Sequence, residues 1–162
     1  MNQDKTWIEE YEINRFTMLI RPVKRGKKVY SEVFELQDEF IAPDRPTVIV
    51  DKSCKYFGSS FQGRVTGTKQ VTRYNKKVPI TIDPTYKILF MPTSSPTSHD
   101  CTWISLEHVI DHKREESDST RVLFRNHSTH IIPMSHSSFI TQLERTSHLQ
   151  IKLKQRHDPD YR

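Results

Sequence analysis

Residues 52–77, KSCKYFGSSFQGRVTGTKQVTRYNKK, form a basic segment that contains seven Lys and Arg and no Asp or Glu. The whole chain of 162 residues has 25 cations and 20 acids, so outside this segment 18 cations face all 20 acids. The net positive charge of the protein is therefore local. Three of the four glycines also lie in this segment. Such a composition favours a surface that binds phosphates, and the alternative is an ordinary solvated basic face.

The first half of the basic segment has the periodicity of a helix. Apolar residues recur at intervals of 4, 3 and 4, at Val50, Cys54, Phe57 and Phe61. We expect this stripe to pack against the core. On a helix, Lys52, Lys55 and Ser59 then lie on the opposite face.

The boundaries of this helix follow from its flanking residues. We predict a basic helix near residues 46–61, with Asp44 as its N-cap. Gly58 indicates an end or a bend, because glycine costs a helix about 1 kcal/mol relative to alanine. Gly63 and Gly67 then indicate a loop.

Nine residues of the basic segment are candidate contacts to DNA. Lys and Arg neutralise phosphates with release of counterions, and serine hydroxyls add donors. Arg64, in a loop flanked by glycines, is suited to a narrow A·T minor groove, whose negative potential is enhanced. Tyr56 and Tyr74 are compatible with either core packing or base stacking. The predicted DNA-binding residues are Lys52, Lys55, Ser59, Ser60, Arg64, Lys69, Arg73, Lys76 and Lys77.

The rest of the chain favours strands, because Ala42 is its only alanine whereas Val, Ile, Thr, Tyr and Phe are frequent. Alternation of apolar residues predicts a first hairpin with its turn at Asn14 and Arg15, followed by a strand at 29–36. Short strands are also predicted at residues 71–74, 78–82, 86–91, 103–113, 120–124 and 129–132. We therefore expect an α+β fold with mostly antiparallel strands.

A C-terminal helix is predicted near residues 136–156, with Ser135 or Ser137 as its cap. Its inward residues are expected to be Phe139, Ile140, Leu143 and Leu149. The chain length predicts one DNA-binding domain over residues 1–156, followed by a frayed tail at 157–162.

Other chemistries find weaker support in the sequence. Cys54 and Cys101, without a secretory leader, indicate reduced thiols in a cytoplasmic protein. The eight histidines form no zinc motif, so we expect neither a metal nor another cofactor. A metal-dependent nuclease needs clustered carboxylates, and Asp44 with Asp111 resembles such a pattern only faintly.

A membrane is a less favourable partner than nucleic acid. Apolar runs such as residues 88–91 fall far short of the roughly 18 residues that a membrane span needs. No segment combines strong basic amphipathicity with a lipid-facing stripe. We therefore expect an anionic partner without a membrane.

Four stretches together resemble the competence transcription factor (ComK) family of Gram-positive bacteria. They are VDKSCKYFGSSFQGRVTGT (residues 50–68), VPITIDPTYKILFMPT (78–93), CTWIS (101–105) and IPMSHSSFITQLERTSHL (132–149). The resemblance covers residues 11–156.

The resemblance implies a sequence-specific activator of DNA-uptake genes rather than an enzyme. Family members bind paired A·T-rich boxes in double-stranded DNA, largely from the minor groove, as dimers that assemble further. The resemblance also implies partners, namely RNA polymerase and a proteolytic adaptor, and a cytoplasmic location, at the nucleoid when the protein is bound to DNA.

This chain departs from the longer family members, which carry a further C-terminal segment associated with activation and adaptor recognition. The sequence ends at Arg162, which puts adaptor recognition in question more than DNA binding. Two alternatives for the same basic surface are an RNA-binding module and a metal-dependent nuclease.

Overall fold

Ten strands and three helices follow one another along residues 5–160, the part of the chain that this computed structural model describes. In chain order they are β1 (Thr6–Trp7), β2 (Thr17–Arg25), β3 (Lys28–Glu35), β4 (Glu39–Ala42), α1 (Pro46–Tyr56), α2 (Phe61–Thr72), β5 (Ile80–Thr81), β6 (Leu89–Pro92), β7 (Trp103–Ser105), β8 (Val109–Glu116), β9 (Ser119–Phe124), β10 (Thr129–Ile132) and α3 (His136–His157). A short 3-10 turn, Leu106–His108, joins β7 to β8.

The strands form two sheets that are mostly antiparallel. The larger sheet has the order β1-β4-β3-β2-β7-β6-β5, and β1 with β4 is its parallel pair. The smaller sheet has the order β10-β9-β8. The predicted α+β class and the predicted C-terminal helix are confirmed.

Both faces of the larger sheet are buried. Ile20 and Val33 belong to one apolar cluster, together with residues of α1 and α2, whereas their neighbours Leu19 and Phe34 belong to a second cluster, together with residues of β9 and α3. Since successive side chains of a strand point to opposite faces, the sheet separates two layers. Helices α1 and α2 cover one face, and the smaller sheet with α3 covers the other.

Trp103 fixes the two short helices onto the sheet. Its side chain is fully buried, and its indole Nε1 donates to Thr47 Oγ1 of α1 at 3.0 Å. Its ring meets the ring of Phe61, the first residue of α2, edge to face with centroids 5.8 Å apart. One strand residue thus positions the basic segment.

The predicted helix at 46–61 is divided between two helices. Helix α1 ends at Tyr56. Gly58 has a left-handed φ of 81°, so the helical conformation does not continue through it. Helix α2 then begins, with Ser60 as its cap accepting from the Gly63 amide.

The loop predicted at Gly63 and Gly67 is therefore wrong, because both residues lie inside α2. The strand predicted at 71–74 is also wrong, since α2 continues to Thr72. The Asp51 carboxylate accepts from the Phe61 amide at 2.9 Å. Capping and tertiary packing outweigh the low helix propensity of glycine here.

Two smaller predictions near the N-terminus are also corrected. Asp44 is not the cap of α1: the cap is Arg45, which makes no side-chain capping bond. The hairpin with a turn at Asn14 and Arg15 is absent from the described residues, although Thr17 does begin β2. The residues before Thr17 bond instead to side chains, as where the Ile13 amide donates to Ser53 Oγ at 2.9 Å.

The C-terminal helix follows its prediction closely. Ser135 is its cap and accepts from the Ser138 amide. Phe139 and Leu149 are buried, as the helical spacing predicts. Tyr161 and Arg162 of the predicted tail lie outside the described residues.

Two phenylalanine rings flank His130 on β10. The ring centroids of Phe34 and Phe124 lie 4.6 and 5.5 Å from that of His130. Burial, followed by the charges of Arg21 and Lys5, lowers the pKa of His130 to about 4.

This low pKa predicts that the protein loses stability below pH 6.5. Unfolded His130 takes up a proton below its ordinary pKa of 6.5, whereas the folded ring stays neutral until about pH 4. The linkage amounts to ~2 kcal/mol at pH 5, and the partial exposure of the ring reduces it to ~1 kcal/mol. Urea unfolding of the wild type and His130→Gln checks this: the advantage of the wild type should shrink between pH 7 and pH 5. An equal advantage at both pH values contradicts it.

Candidate nucleic-acid interface

Helix α2 presents a polar face to solvent. Val65, Thr68 and Thr72 are buried on its inner side, and Thr68 Oγ1 donates to the carbonyl of Pro79 at 2.8 Å. The outer face carries no carboxylate and includes two glycines. Its exposed residues are Gln62, Gly63, Thr66, Gly67, Lys69, Gln70 and, at the C-terminal cap, Arg73.

Gly67 has no packing role within the protein. A Cβ placed at this position meets no atom within 4 Å. Glycine nevertheless costs a helix about 1 kcal/mol relative to alanine. What glycine does provide here is an outer surface that another molecule can approach closely.

The two lysines of α1 are already engaged within the protein. Lys52 Nζ lies 2.8 Å from Asp44 Oδ2, and Lys55 Nζ lies 2.9 Å from Asp51 Oδ2. The hydrogen bond to Asp44 raises the pKa of Lys52. These pairs are solvent-exposed, so each contributes little to stability and leaves its lysine able to exchange partners.

Five predicted cations make no ion pair among residues 5–160, and four of them lie outside the half-buried position of Arg64: Lys69, Arg73, Lys76 and Lys77. All four are exposed. Arg73 has a left-handed φ of 69° at the end of α2, a conformation that favours glycine. The backbone conformation at this position therefore favours glycine, and it does not explain why an arginine is present.

Helix α3 fixes the backbone that carries Lys76 and Lys77. Arg145 Nη2 donates to the carbonyl of Lys76 at 2.8 Å, and Gln142 Nε2 donates to the carbonyl of Lys77 at 2.9 Å. The lysine side chains stay in solvent while their backbone is tied down. Gln142 and Arg145 were not predicted as positioning residues, because no local pattern connects residues more than 60 positions apart in the chain.

Arg64 is not in a flexible loop, as predicted, but in the first half of α2. It is half-buried, and its Nη2 donates to the carbonyl of Ile82 at 3.2 Å. The guanidinium also lies near the buried thiol of Cys54. Burial raises the pKa of Cys54 to about 11, and the charge of Arg64 opposes this increase only in part.

The two predicted serines lie at the start of α2. Ser60 Oγ accepts from the Gly63 amide at 2.9 Å, so its oxygen is already used in capping. The Ser59 amide donates to the carbonyl of Cys54 at 3.0 Å. Both side chains are half-buried, at the edge of the outer face.

The residues of the predicted apolar stripe and the two tyrosines divide between the core and the surface. Val50 and Cys54 are buried as predicted, but Phe57 is 37% exposed and lies beyond the end of α1. Tyr56, which the sequence left open, is 66% exposed. Tyr74 is half-buried beneath the guanidinium of Arg145, which lies 4.5 Å from its ring centroid.

The alternative chemistries find no assembled site in the described residues. No group of three or more His, Cys, Asp or Glu is arranged there to hold a metal ion. Asp44 pairs with Lys52, while Asp111 lies on β8 of the smaller sheet. Cys54 and Cys101 are buried free thiols. Within residues 5–160 no helix has the length and apolar character to span a membrane.

An α+β domain with a cationic, acid-free helix face fits the class of nucleic-acid-binding proteins. Residues 8–158 match the ComK protein family. The chain is 40% identical over 151 residues to the competence transcription factor of Bacillus subtilis (strain 168). The aligned region covers 93% of this chain and 79% of that protein. The chain belongs to the ComK family. The relative is a transcription factor, which confirms that the family is not one of enzymes. No solved structure matches the chain.

Proposed function

We propose that this protein activates transcription of competence genes by binding A·T-rich double-stranded DNA. The contact surface is the outer face of α2 together with the exposed cations of residues 69–77. The observation that carries the proposal is this face itself, which is polar, free of carboxylates, and bordered by unpaired cations. The name of the relative, competence transcription factor, supplies the biological role.

Phosphate binding is the electrostatic part of the proposal. Lys69, Arg73, Lys76 and Lys77 can each neutralise a phosphate without first breaking an ion pair. Lys52 and Lys55 contribute less, because a phosphate must replace a carboxylate that already holds each of them. The free cations should therefore account for most of the salt dependence of binding.

The minor groove is the proposed side of approach. A helix with its side chains is about 10–12 Å wide, whereas the minor groove of B-DNA is about 6 Å wide. Helix α2 therefore lies across the sugar–phosphate backbones that border the groove. Gly63 and Gly67 allow this close approach. Side chains, which are narrower than a helix, enter the groove.

Further features of the proposal come from the family. We propose that two or more copies bind paired A·T-rich boxes, that the bound assembly contacts RNA polymerase, and that a proteolytic adaptor controls the amount of protein. The protein then acts in the cytoplasm, at the nucleoid.

A comparison of three ligands tests the function. Binding to an A·T-rich duplex, a G·C-rich duplex and a structured RNA is measured at one salt concentration, since affinities depend strongly on salt. The A·T-rich duplex should bind at least tenfold more tightly than the other two. Equal affinity for all three contradicts sequence-specific DNA binding, and preference for RNA favours the RNA-binding alternative. Cleavage of plasmid with Mg²⁺ that is lost in Asp111→Ala favours the nuclease.

Gly67→Ala should separate stability from DNA binding. In the free protein the new methyl group meets no atom within 4 Å, so the helix gains about 0.5–1 kcal/mol. On DNA the methyl group holds α2 away from the backbones, and we expect a severalfold loss of affinity. Ser147→Ala, at an exposed position of α3, is the control and should leave affinity unchanged. If Gly67→Ala binds DNA like the wild type, the outer face of α2 does not contact DNA.

A further inference from the structure

The hairpin formed by β2 and β3 ends in a second cationic surface. Lys24, Arg25, Lys27 and Lys28 are four cations within five residues, and all are exposed. We call these four residues the hairpin tip. Arg25 pairs with Lys28 across the strands, which leaves a two-residue turn, and Gly26 supplies its left-handed φ of 65°.

Ion pairs within residues 5–160 do not account for this concentration of charge. Arg25 and Lys28 are directly opposite each other, and like charges at such positions destabilise a hairpin. The ion pair recorded at the tip joins Lys24 to Asp100 at 3.8 Å, between side chains that are 67% and 78% exposed. A pair of that kind contributes little. The tip is thus arranged at a cost to local stability.

Aromatic rings hold two of the tip cations in place. The Arg25 guanidinium lies 5.0 Å from the ring centroid of Trp7, and the Lys28 ammonium lies 5.0 Å from that of Tyr30. The two rings meet edge to face at 5.6 Å, and Trp7 is 55% exposed. Cation–π contact orders the long side chains while it leaves N–H groups free for an anion. Ordering beforehand lowers the entropic cost of binding.

The shape of the tip suits a duplex. A two-residue turn joins the paired strands, so the tip presents its cations on a short, exposed projection. Such a projection can place its cations beside the phosphates that border a groove. Charge and preorganisation both favour a polyanion with regularly spaced phosphates.

We propose that the hairpin tip is a second DNA-binding element, an arm that grips the phosphates of the same duplex that α2 contacts. This inference rests on the proposed DNA-binding function, and it adds to it a contact 24 residues before the basic segment. The arm lengthens the stretch of DNA that one protein molecule covers.

The test is Arg25→Gln/Lys28→Gln, with Lys154→Gln/Arg156→Gln as the control. The control removes the same two types of charge from exposed positions of α3. The hairpin variant should bind an A·T-rich duplex at least tenfold more weakly than the control. Its slope of log affinity against log salt concentration should be smaller by about 1.8, which corresponds to two phosphate contacts.

Stability provides a second readout of the hairpin variant. Removal of the opposed charges offsets the loss of the two cation–π contacts, so its thermal midpoint should stay close to that of the wild type, and weak binding cannot then be attributed to misfolding. Affinity and slope equal to those of the control overturn the inference. The inference is also overturned if the hairpin variant loses binding to poly-glutamate or to phosphatidylglycerol vesicles but binds DNA like the control.

The outcome for the arm is separable from that for the proposed function. If the wild type binds no duplex, the proposed function fails. If the wild type binds the duplex, and substitutions in α2 lower the affinity while the hairpin substitutions do not, the arm alone is rejected.

Discussion

Lys69→Gln/Arg73→Gln is expected to weaken binding to an A·T-rich duplex by about 60-fold at 0.1 M salt. Each phosphate contact contributes about 0.9 to the salt exponent, so each lost contact reduces affinity roughly eightfold at this concentration. Both cations are exposed, and neither has an ion-pair partner within residues 5–160. The slope of log affinity against log salt concentration should fall by about 1.8.

Two further variants separate the effect of total charge from the effect of backbone conformation. Lys154→Gln/Arg156→Gln removes one Lys and one Arg from α3 and should change affinity less than threefold. Arg73→Gly should raise the free energy of unfolding by about 1 kcal/mol, because Arg73 has a φ of 69°. The same change should still weaken DNA binding. If the α2 double variant and its control have equal affinity and slope, the end of α2 does not contact DNA.

Gln142→Leu should lower the free energy of unfolding by about 2–4 kcal/mol. Gln142 is only 4% exposed. Its Nε2 donates to the carbonyls of Lys77 and Pro92 at 2.9 and 2.8 Å, and its Oε1 accepts from Arg145 at 2.9 Å. Leucine has a similar volume but leaves the two carbonyls without this donor, and each unsatisfied buried group costs about 1–3 kcal/mol.

Gln150→Leu is the control for Gln142→Leu. Gln150, also on α3, donates one hydrogen bond to the carbonyl of Tyr86 at 2.9 Å and is half-buried. Its loss should cost about 1 kcal/mol. Urea unfolding of both variants measures the difference. Equal destabilisation by the two changes contradicts the role of Gln142 in joining α3 to the basic segment.

The elements predicted well from sequence are those in which local signals and packing agree. In α3 the serine cap and the spacing of Phe139 and Leu149 favour the same helix that the core requires. Helix α2 was missed because Gly63 and Gly67 carry a local signal against a helix. The hydrogen bond from the Phe61 amide to Asp51 and the packing of Val65 depend on the tertiary structure.

The candidate site shows the same division. The charge of the basic segment is visible in the sequence, but the pairing of Lys52 with Asp44 is not, since it requires the turn into α1. Residues 13–31 also contain no acid and carry six cations. That charge is equally visible, and four of the six cations flank Gly26, but the contact of Arg25 with Trp7 depends on the tertiary structure.

Acetylation of lysines in the full chain, free and bound to an A·T-rich duplex, tests the central claim most directly. Mass spectrometry reports the labelling of each lysine separately. Lys69, Lys76 and Lys77 should be protected by DNA, whereas Lys152 and Lys154 on α3 should be labelled equally with and without it. Protection of Lys152 and Lys154, with unchanged labelling of Lys69, Lys76 and Lys77, contradicts DNA binding through α2 and the segment that follows it.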